Sequence, residues 1–288
     1  MARASGVIGV TAAALCPAWA HAADTATAQA EAGEPSAAAA APAQPAATEY
    51  ALGLALVNRP AYAGSSQLAW KLRPLWTVKW GRYRLSGPRA SGLLGRTGDE
   101  GSGASAELAE GAHWRLGASL GVDGGRSSGD DPRLAGLPDQ RPSLRGKLYA
   151  SRDLGGRWGV SAHVSQDLAG RGGGTLGGVD LGYSLVPGPG WRVSFGAGIG
   201  LADAQAMRHQ FGIAPEVAAR TGRTAYVPGS GLRDLHVGGT AQWAVSNVWF
   251  AFAGLGLSQL QSQAAQSPLV ARRSSSSLAL GLAWRNLP

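Results

Sequence analysis

The sequence predicts a transmembrane antiparallel up-and-down β-barrel of about twelve strands with a long extracellular loop, and three observations carry that expectation. Apolar and polar residues alternate with a period of two along most of the chain after residue 48, which sends one set of side chains to each face of a sheet. In Leu68–Trp80, LAWKLRPLWTVKW, the apolar set is Trp70, Leu72, Trp76, Val78 and Trp80, and the facing set is Lys71, Arg73, Thr77 and Lys79. Trp at both ends of an apolar face suits two membrane interfaces. Finally, no segment reaches the ~18 consecutive apolar residues of a spanning helix, while 44 glycines in 288 residues suit closely paired strands with small inward positions.

The N-terminus reads as an export signal over 1–22. Arg3 precedes an apolar stretch at 7–15, and Ala20-His21-Ala22 stands before Ala23, the order of a signal peptide cleaved after a small residue. The sole cysteine, Cys16, falls inside it, and Leu15 is too large for the position before a lipoprotein cysteine. The mature chain is therefore expected to hold neither a disulfide nor a thiolate metal site. Residues 23–48 are rich in Ala, Pro and Glu without periodicity and read as a disordered periplasmic leader, a spacer. The barrel is assigned to 49–288. The formal net charge is +8, but the basic residues are scattered on alternating positions, and export removes nucleic acid as a partner. Outer-membrane lipid, the phosphates of lipopolysaccharide and anionic solutes are the fitting counter-charges.

Strands and turns follow in order. The first strand, 49–57, turns Tyr50, Leu52, Leu54 and Leu56 outward and Ala51, Gly53 and Ala55 inward. The loop NRPAYAGSSQ leads to the Trp-rich second strand, and a turn at Gly81-Arg82 opens a third at Tyr83. Residues 86–112 alternate poorly and are read as a strand end, a loop and a short fourth strand. Trp114, Leu116, Ala118, Leu120 and Val122 mark the fifth, followed by a long polar loop to Pro142. Strands at 143–152, 157–166 and 175–186 come next. After Pro187-Gly188-Pro189-Gly190, Trp191, Val193, Phe195, Ala197, Ile199 and Leu201 point outward over Ser194, Gly196, Gly198 and Gly200. A one-residue slip would put every one of these on the wrong face. The longest insertion, 203–230, precedes strands at 232–245, 247–260 and 274–284. An even count puts both ends of the barrel, and the short turns, on the periplasmic side, with the long connections outside.

No nucleophile, base and orienter converge on neighbouring strand ends, and no metal spacing or cofactor motif appears, so a non-enzyme is expected. His113, His163 and His236 fall at inward positions and read as hydrogen-bonded fillers. Asp130, Asp131 and Asp139 share a loop with Arg126, Arg133 and Arg141 and read as a solvated, self-paired surface. The inward basic row Lys71, Arg73, Lys79, Arg115, Arg145, Lys147 and Arg192 is the electrostatic feature with functional content. It biases an open barrel toward anions, and long Arg side chains equally pack a barrel of this size shut.

The loop ADAQAMRHQFGIAPEVAARTGRTAYVPGSGLRDL and the last hairpin, QSQAAQSPLVARRSSSSLALGLAW, resemble the MipA/OmpV family. The residues that carry the resemblance are Ala202-Asp203, Phe211-Gly212-Ile213, Tyr226-Val227-Pro228, Gly231-Leu232 and Ser267-Pro268-Leu269-Val270. RPAYAGSS at 59–66 and GRSSGDDPRLAGLPD at 125–139 are similar to two further family segments. The match covers essentially the whole barrel. Two positions depart from the family: Ala206 stands where it usually has tyrosine, and the sequence ends Trp284-Arg285-Asn286-Leu287-Pro288 in place of a terminal aromatic, so that either Trp284 serves in its stead or export is less efficient. Phe211 and Tyr226 are expected to pack the long loop over the mouth or to make contacts there. The resemblance implies an outer-membrane scaffold that links a lytic transglycosylase of the murein sacculus to a penicillin-binding protein. A narrow anion-biased porin and a surface adhesin acting through 203–230 are the alternatives.

Overall fold

The computed structural model describes residues 48–87 and 103–286. The expected signal peptide and nearly all of the expected leader lie outside the described residues, as does 88–102 within the weakly patterned third connection. Twelve antiparallel strands close on themselves: β1 (Glu49–Pro60), β2 (Leu68–Trp80), β3 (Tyr83–Ser86), β4 (Gly103–Gly111), β5 (Trp114–Asp123), β6 (Ser143–Gly155), β7 (Trp158–Asp167), β8 (Thr175–Leu185), β9 (Trp191–Ala202), β10 (Gly231–Ala244), β11 (Trp249–Leu260) and β12 (Ser274–Arg285). Each strand pairs with its sequence neighbours, and β1 pairs with β12, Leu52 opposite Trp284 and Leu56 opposite Leu280. That last ladder removes both sheet edges.

Alternation sets the two faces. Leu72 and Trp80 point outward and are 66% and 63% exposed, as large apolar side chains are along every long strand. Gly, Ala and Ser fill many inward positions; Ala55 is buried and faces Arg73 and Gly281 across the two ladders it joins. The apolar surface is therefore on the outside, a pattern that only lipid satisfies. In β4 a bulge between Glu107 and Ala109 turns Leu108 outward as well, which blurs the period there.

The aromatic girdle is one-sided. Of the nine described tryptophans, eight sit toward the short-turn end of their strands, and Trp70 alone lies at the other. Several pair with rings on the adjacent strand: Trp191 stacks on Trp243 at 5.8 Å, Trp158 meets Tyr183 edge-on at 5.1 Å, and Tyr50 lies 5.6 Å from Trp284. Such cross-strand pairs each add about 0.5–1.5 kcal/mol beyond burial. In β2 the two interfaces are marked as expected, by Trp70 and Trp80, but around the rest of the ring the described indoles gather at the periplasmic interface.

The outer connections fold into a cap. The β9–β10 connection carries α1 (Ala204–Phe211) and α2 (Pro215–Thr221), and the β11–β12 connection carries α3 (Ser262–Gln266). Asp203 caps α1 by accepting the Ala206 N–H at 2.7 Å. Pro215 opens α2, and Gly222, at φ 68°, closes it in the left-handed region that glycine adopts without strain.

On the lipid face, Leu54→Arg is expected to destabilise the folded barrel by ~2–4 kcal/mol, whereas Lys71→Gln inside costs less than about 1 kcal/mol. Urea unfolding in lipid vesicles measures both.

Candidate functional site

The strands place the seven basic residues on the inner wall, but at different heights. Lys71, Arg145 and Lys147 lie in the outer part of β2 and β6, with Arg73 near the middle of β2; Lys79, Arg115 and Arg192 lie within two residues of the periplasmic turns. The outermost and the periplasmic ones are separated by much of the length of the wall. Arg145 reaches into the β7–β8 connection, donating to the carbonyls of Gly173 at 2.8 Å and Gly174 at 3.2 Å. Lys79 lies 3.9 Å from Glu49 across β1 and β2, and Arg115 stands opposite Glu110 in the β4–β5 ladder.

Bulky inward side chains fill space that the inward glycines leave. Tyr149 lies over Gly117, and Phe252 over Gly281; a Cβ at either glycine would come within 2.3 Å and 2.1 Å of the ring. Arg285 lies 6.0 Å from the centre of the Phe250 ring.

Beneath the cap lies a cluster that sequence reading treated only as a single histidine. His236 on β10 faces Asp234 through Nδ1 and Asp180 on β8 through Nε2, each at 2.8 Å, and Arg233 donates to Asp234 at 2.6 Å. Asp180 is 1% exposed. The chain Arg233–Asp234–His236–Asp180 spans from β10 to β8 across β9, and it fits because β9 supplies glycines. A Cβ at Gly198 would stand 2.6 Å from both Asp180 Oδ1 and His236 Nε2, and one at Gly200 2.4 Å from Asp234 Oδ2. Both imidazole nitrogens are engaged by carboxylates, so neither is left to activate a hydroxyl. The signal was present in the sequence as three consecutive inward glycines beside inward Asp and His.

The cap holds two apolar cores. Phe211, Met207 and Ala206 of α1 pack with Ala202, Leu260 and Ala264; Leu134, Leu137, Ile213, Ala218 and Leu269 form the other, against which Tyr62, Val217 and Tyr226 pack. Polar ties join the connections: Tyr62 donates to the Leu269 carbonyl at 2.7 Å, Ser267 to that of Phe211 at 2.7 Å, and Tyr226 to that of Gln263 at 2.6 Å. Asp203 also accepts the Thr175 N–H at 2.8 Å. Burial disfavours its carboxylate, but the N–H groups of Ala206 and Thr175 outweigh that and hold its pKa below the usual range. Phe211 and Tyr226 both pack within the cap, and Ala206 is fully buried beside Phe211.

Two expectations are corrected. His113 lies in the exposed β4–β5 turn rather than on the inner wall, because the strand pairing ends at Gly111 and Trp114. The Asp/Arg loop is not a self-paired surface. Asp131 is buried, accepts the Ser65 hydroxyl at 2.6 Å and the Arg133 N–H at 2.9 Å, and Arg126 donates to the Gln210 carbonyl at 3.0 Å. Asp131 and Arg126 thus tie this loop to the neighbouring connections, while Asp130 and Asp139 accept N–H groups of the loop itself.

Removing the ring in His236→Ala leaves two buried carboxylates facing each other and is expected to cost ~3–5 kcal/mol. Gly198→Ala is expected to destabilise the fold as well, by ~1–3 kcal/mol of overpacking; thermal unfolding followed by heat-modifiable gel migration reads both. Phe211→Ala, by contrast, is expected to loosen the cap by ~3–5 kcal/mol while the barrel persists, seen as rapid proteolysis within 203–230 and an unchanged barrel core.

Among solved structures the chain is similar to outer-membrane proteins at low identity. The NanC porin is 9% identical with a TM-score of 0.41, covering 82% of this chain and 100% of that one. OmpT of Vibrio cholerae is 7% identical at 0.36, covering 83% and 97%, and an anion-selective porin from Comamonas acidovorans is 9% identical at 0.39, covering 83% and 99%. No curated protein matches the chain. The family model described as MltA-interacting protein MipA matches residues 52–286, from the first strand of the ring to its last, and with the lipid-facing exterior it fixes the conclusion that this chain is an outer-membrane β-barrel of the MipA family.

Proposed function

We propose that this barrel works by docking rather than by catalysis or free diffusion, holding a murein lytic transglycosylase and its synthase partner against its periplasmic end. The observation that carries the reading is the cap. With two apolar cores and several cross-connection hydrogen bonds the outer mouth is covered, and the opposite rim presents exposed side chains of its own. Arg82, His113 and Arg157 project from the periplasmic turns, exposed and with no side-chain hydrogen bond or ion pair among the described residues. Arg157 is held at φ 73° behind Gly155 and Gly156, both also at positive φ, a conformation that costs a non-glycine residue about 1 kcal/mol or more. The turns are short, but they stand together around one rim. Twelve strands about 4.8 Å apart and tilted about 40° make a ring about 75 Å around. Its end encloses about 450 Å² within the backbone circle, to which the projecting turns add, against the roughly 800 Å² per partner of a standard interface. The description of the matching family, MltA-interacting protein, supports a transglycosylase as the partner.

The basic inner wall favours a second reading, an anion path that opens when the cap moves. In planar bilayers the refolded protein is expected to be electrically silent, and deletion of 204–229 to release anion-selective steps that fall when Arg73 is neutralised. Docking predicts that a lytic transglycosylase co-purifies with the intact barrel and is lost in Arg82→Glu/Arg157→Glu, with the cap deletion retaining it. Steady conductance by the intact barrel without co-purification reverses the order of the two readings.

A further inference from the structure

The outer face of the cap contains a cleft of about 530 Å³ between the β5–β6, β7–β8 and β9–β10 connections, within the ~300–1,000 Å³ range of small-ligand sites. Four arginines, Arg126, Arg141, Arg171 and Arg208, are among its lining residues with one acidic residue, Asp139. Arg126 is committed to the Gln210 carbonyl. Asp139 accepts the Ser128 N–H at 2.6 Å, and that bond, with others from Ser128 and Ser127, holds its pKa below the usual carboxylate range, so its charge is directed into its own loop. Arg141, Arg171 and Arg208 are exposed and make no side-chain hydrogen bond or ion pair with any described residue. Arg208 lies in the last turn of α1, where helix carbonyls offset part of one positive charge. Arg141 and Arg171 sit on irregular connections with no such offset. Three cations from three separate connections therefore converge on one concavity without an internal partner.

The floor is of a different chemistry. Leu137, Ile213, Val217 and Tyr226 line the same cleft, and Leu137 and Ile213 belong to a cap core, so the floor is rigid. His209, at the inner side, is driven toward its neutral form by burial and adds a polar group without adding to the repulsion. Guanidinium forks match phosphate and carboxylate oxygens, and an apolar surface with one aromatic ring matches the C–H face of a sugar.

We propose that this cleft binds a sugar carrying an oxyanion, phosphate or carboxylate, through Arg141, Arg171 and Arg208 over the floor of Ile213, Val217 and Tyr226. The site lies on the outer side of the membrane, where both lipid headgroup sugars and free solutes present that chemistry, and it stands independently of docking at the periplasmic rim. Calorimetric titration of the full barrel in detergent tests it, with glucosamine 1-phosphate, glucuronate, neutral N-acetylglucosamine, inorganic phosphate and short-chain lipopolysaccharide as probes. Saturable binding of either charged sugar, about tenfold or more tighter than N-acetylglucosamine or inorganic phosphate, and weakened about tenfold in Arg141→Gln/Arg208→Gln, supports the site and a soluble source. Binding of lipopolysaccharide alone, lost in the same variant, supports the site with a lipid headgroup as the source. Both arginines are exposed and unbonded, so heat-modifiable migration is expected to stay unchanged, and Arg171→Gln on a third connection gives an independent reading. Equal binding by variant and parent, equal binding of the neutral sugar or of inorganic phosphate, or no binding of any probe overturns the proposal.

Discussion

An unpaired backbone amide in hydrocarbon costs several kcal/mol, and the ladder between β1 and β12 is what spares this chain two rows of them. Everything else in the barrel is subordinate to that closure. It requires each strand to keep one face for lipid and one for the interior, so register cannot drift by one residue without turning Leu and Trp inward and Lys and Arg into the bilayer. It also limits interior volume. With the ring fixed at twelve strands, space for Tyr149, Phe252 and the Asp180–His236–Asp234 cluster comes from glycines on neighbouring strands, so the abundance of glycine follows from filling a small ring.

The cap solves a different problem by ordinary means. Outside the bilayer, water drives burial, and the outer connections respond with two small apolar cores stitched by carbonyl-directed side-chain hydrogen bonds. Burying Phe211 alone is worth about 1.5–3 kcal/mol. One chain therefore carries two inverted arrangements, apolar outward in the wall and apolar inward in the cap. The change of rule falls at Ala202, the last inward residue of β9 and also a member of the first cap core.

Where the two rules apply cleanly, the sequence is transparent. The alternation from Trp191 to Leu201 and from Trp70 to Trp80 predicted the faces correctly, and alternation with turn residues predicted the strand count, on which the distribution of short and long connections is a check. The helices of 203–230 were legible too, in Asp203 before AQAMRHQ and in Pro215 before EVAART with Gly222 behind, but a two-residue period has no place for them. Asp131 shows a deeper limit. As a loop carboxylate among arginines it reads as solvated, and only the distant Ser65, brought over it by ring closure, makes it a buried acceptor. The Asp–His–Asp cluster is of the same kind, since Asp180 and His236 meet across an intervening strand. The cleft of Arg141, Arg171 and Arg208 unites three connections that share no local pattern.

The lopsided tryptophan belt bears on how the barrel sits against membranes of unequal thickness. Indole rings seat at a headgroup boundary, and here that seating is concentrated at one end, with rings coupled in pairs around the ring of strands. A thicker or thinner bilayer must then be accommodated at the opposite end, where Trp70 is the sole described indole and the mismatch costs only fractions of a kcal/mol per Å. The periplasmic turns then hold a near-constant elevation above the inner leaflet while the cap rides up or down, so a change in lipid thickness is felt at the outer connections and not at the short turns.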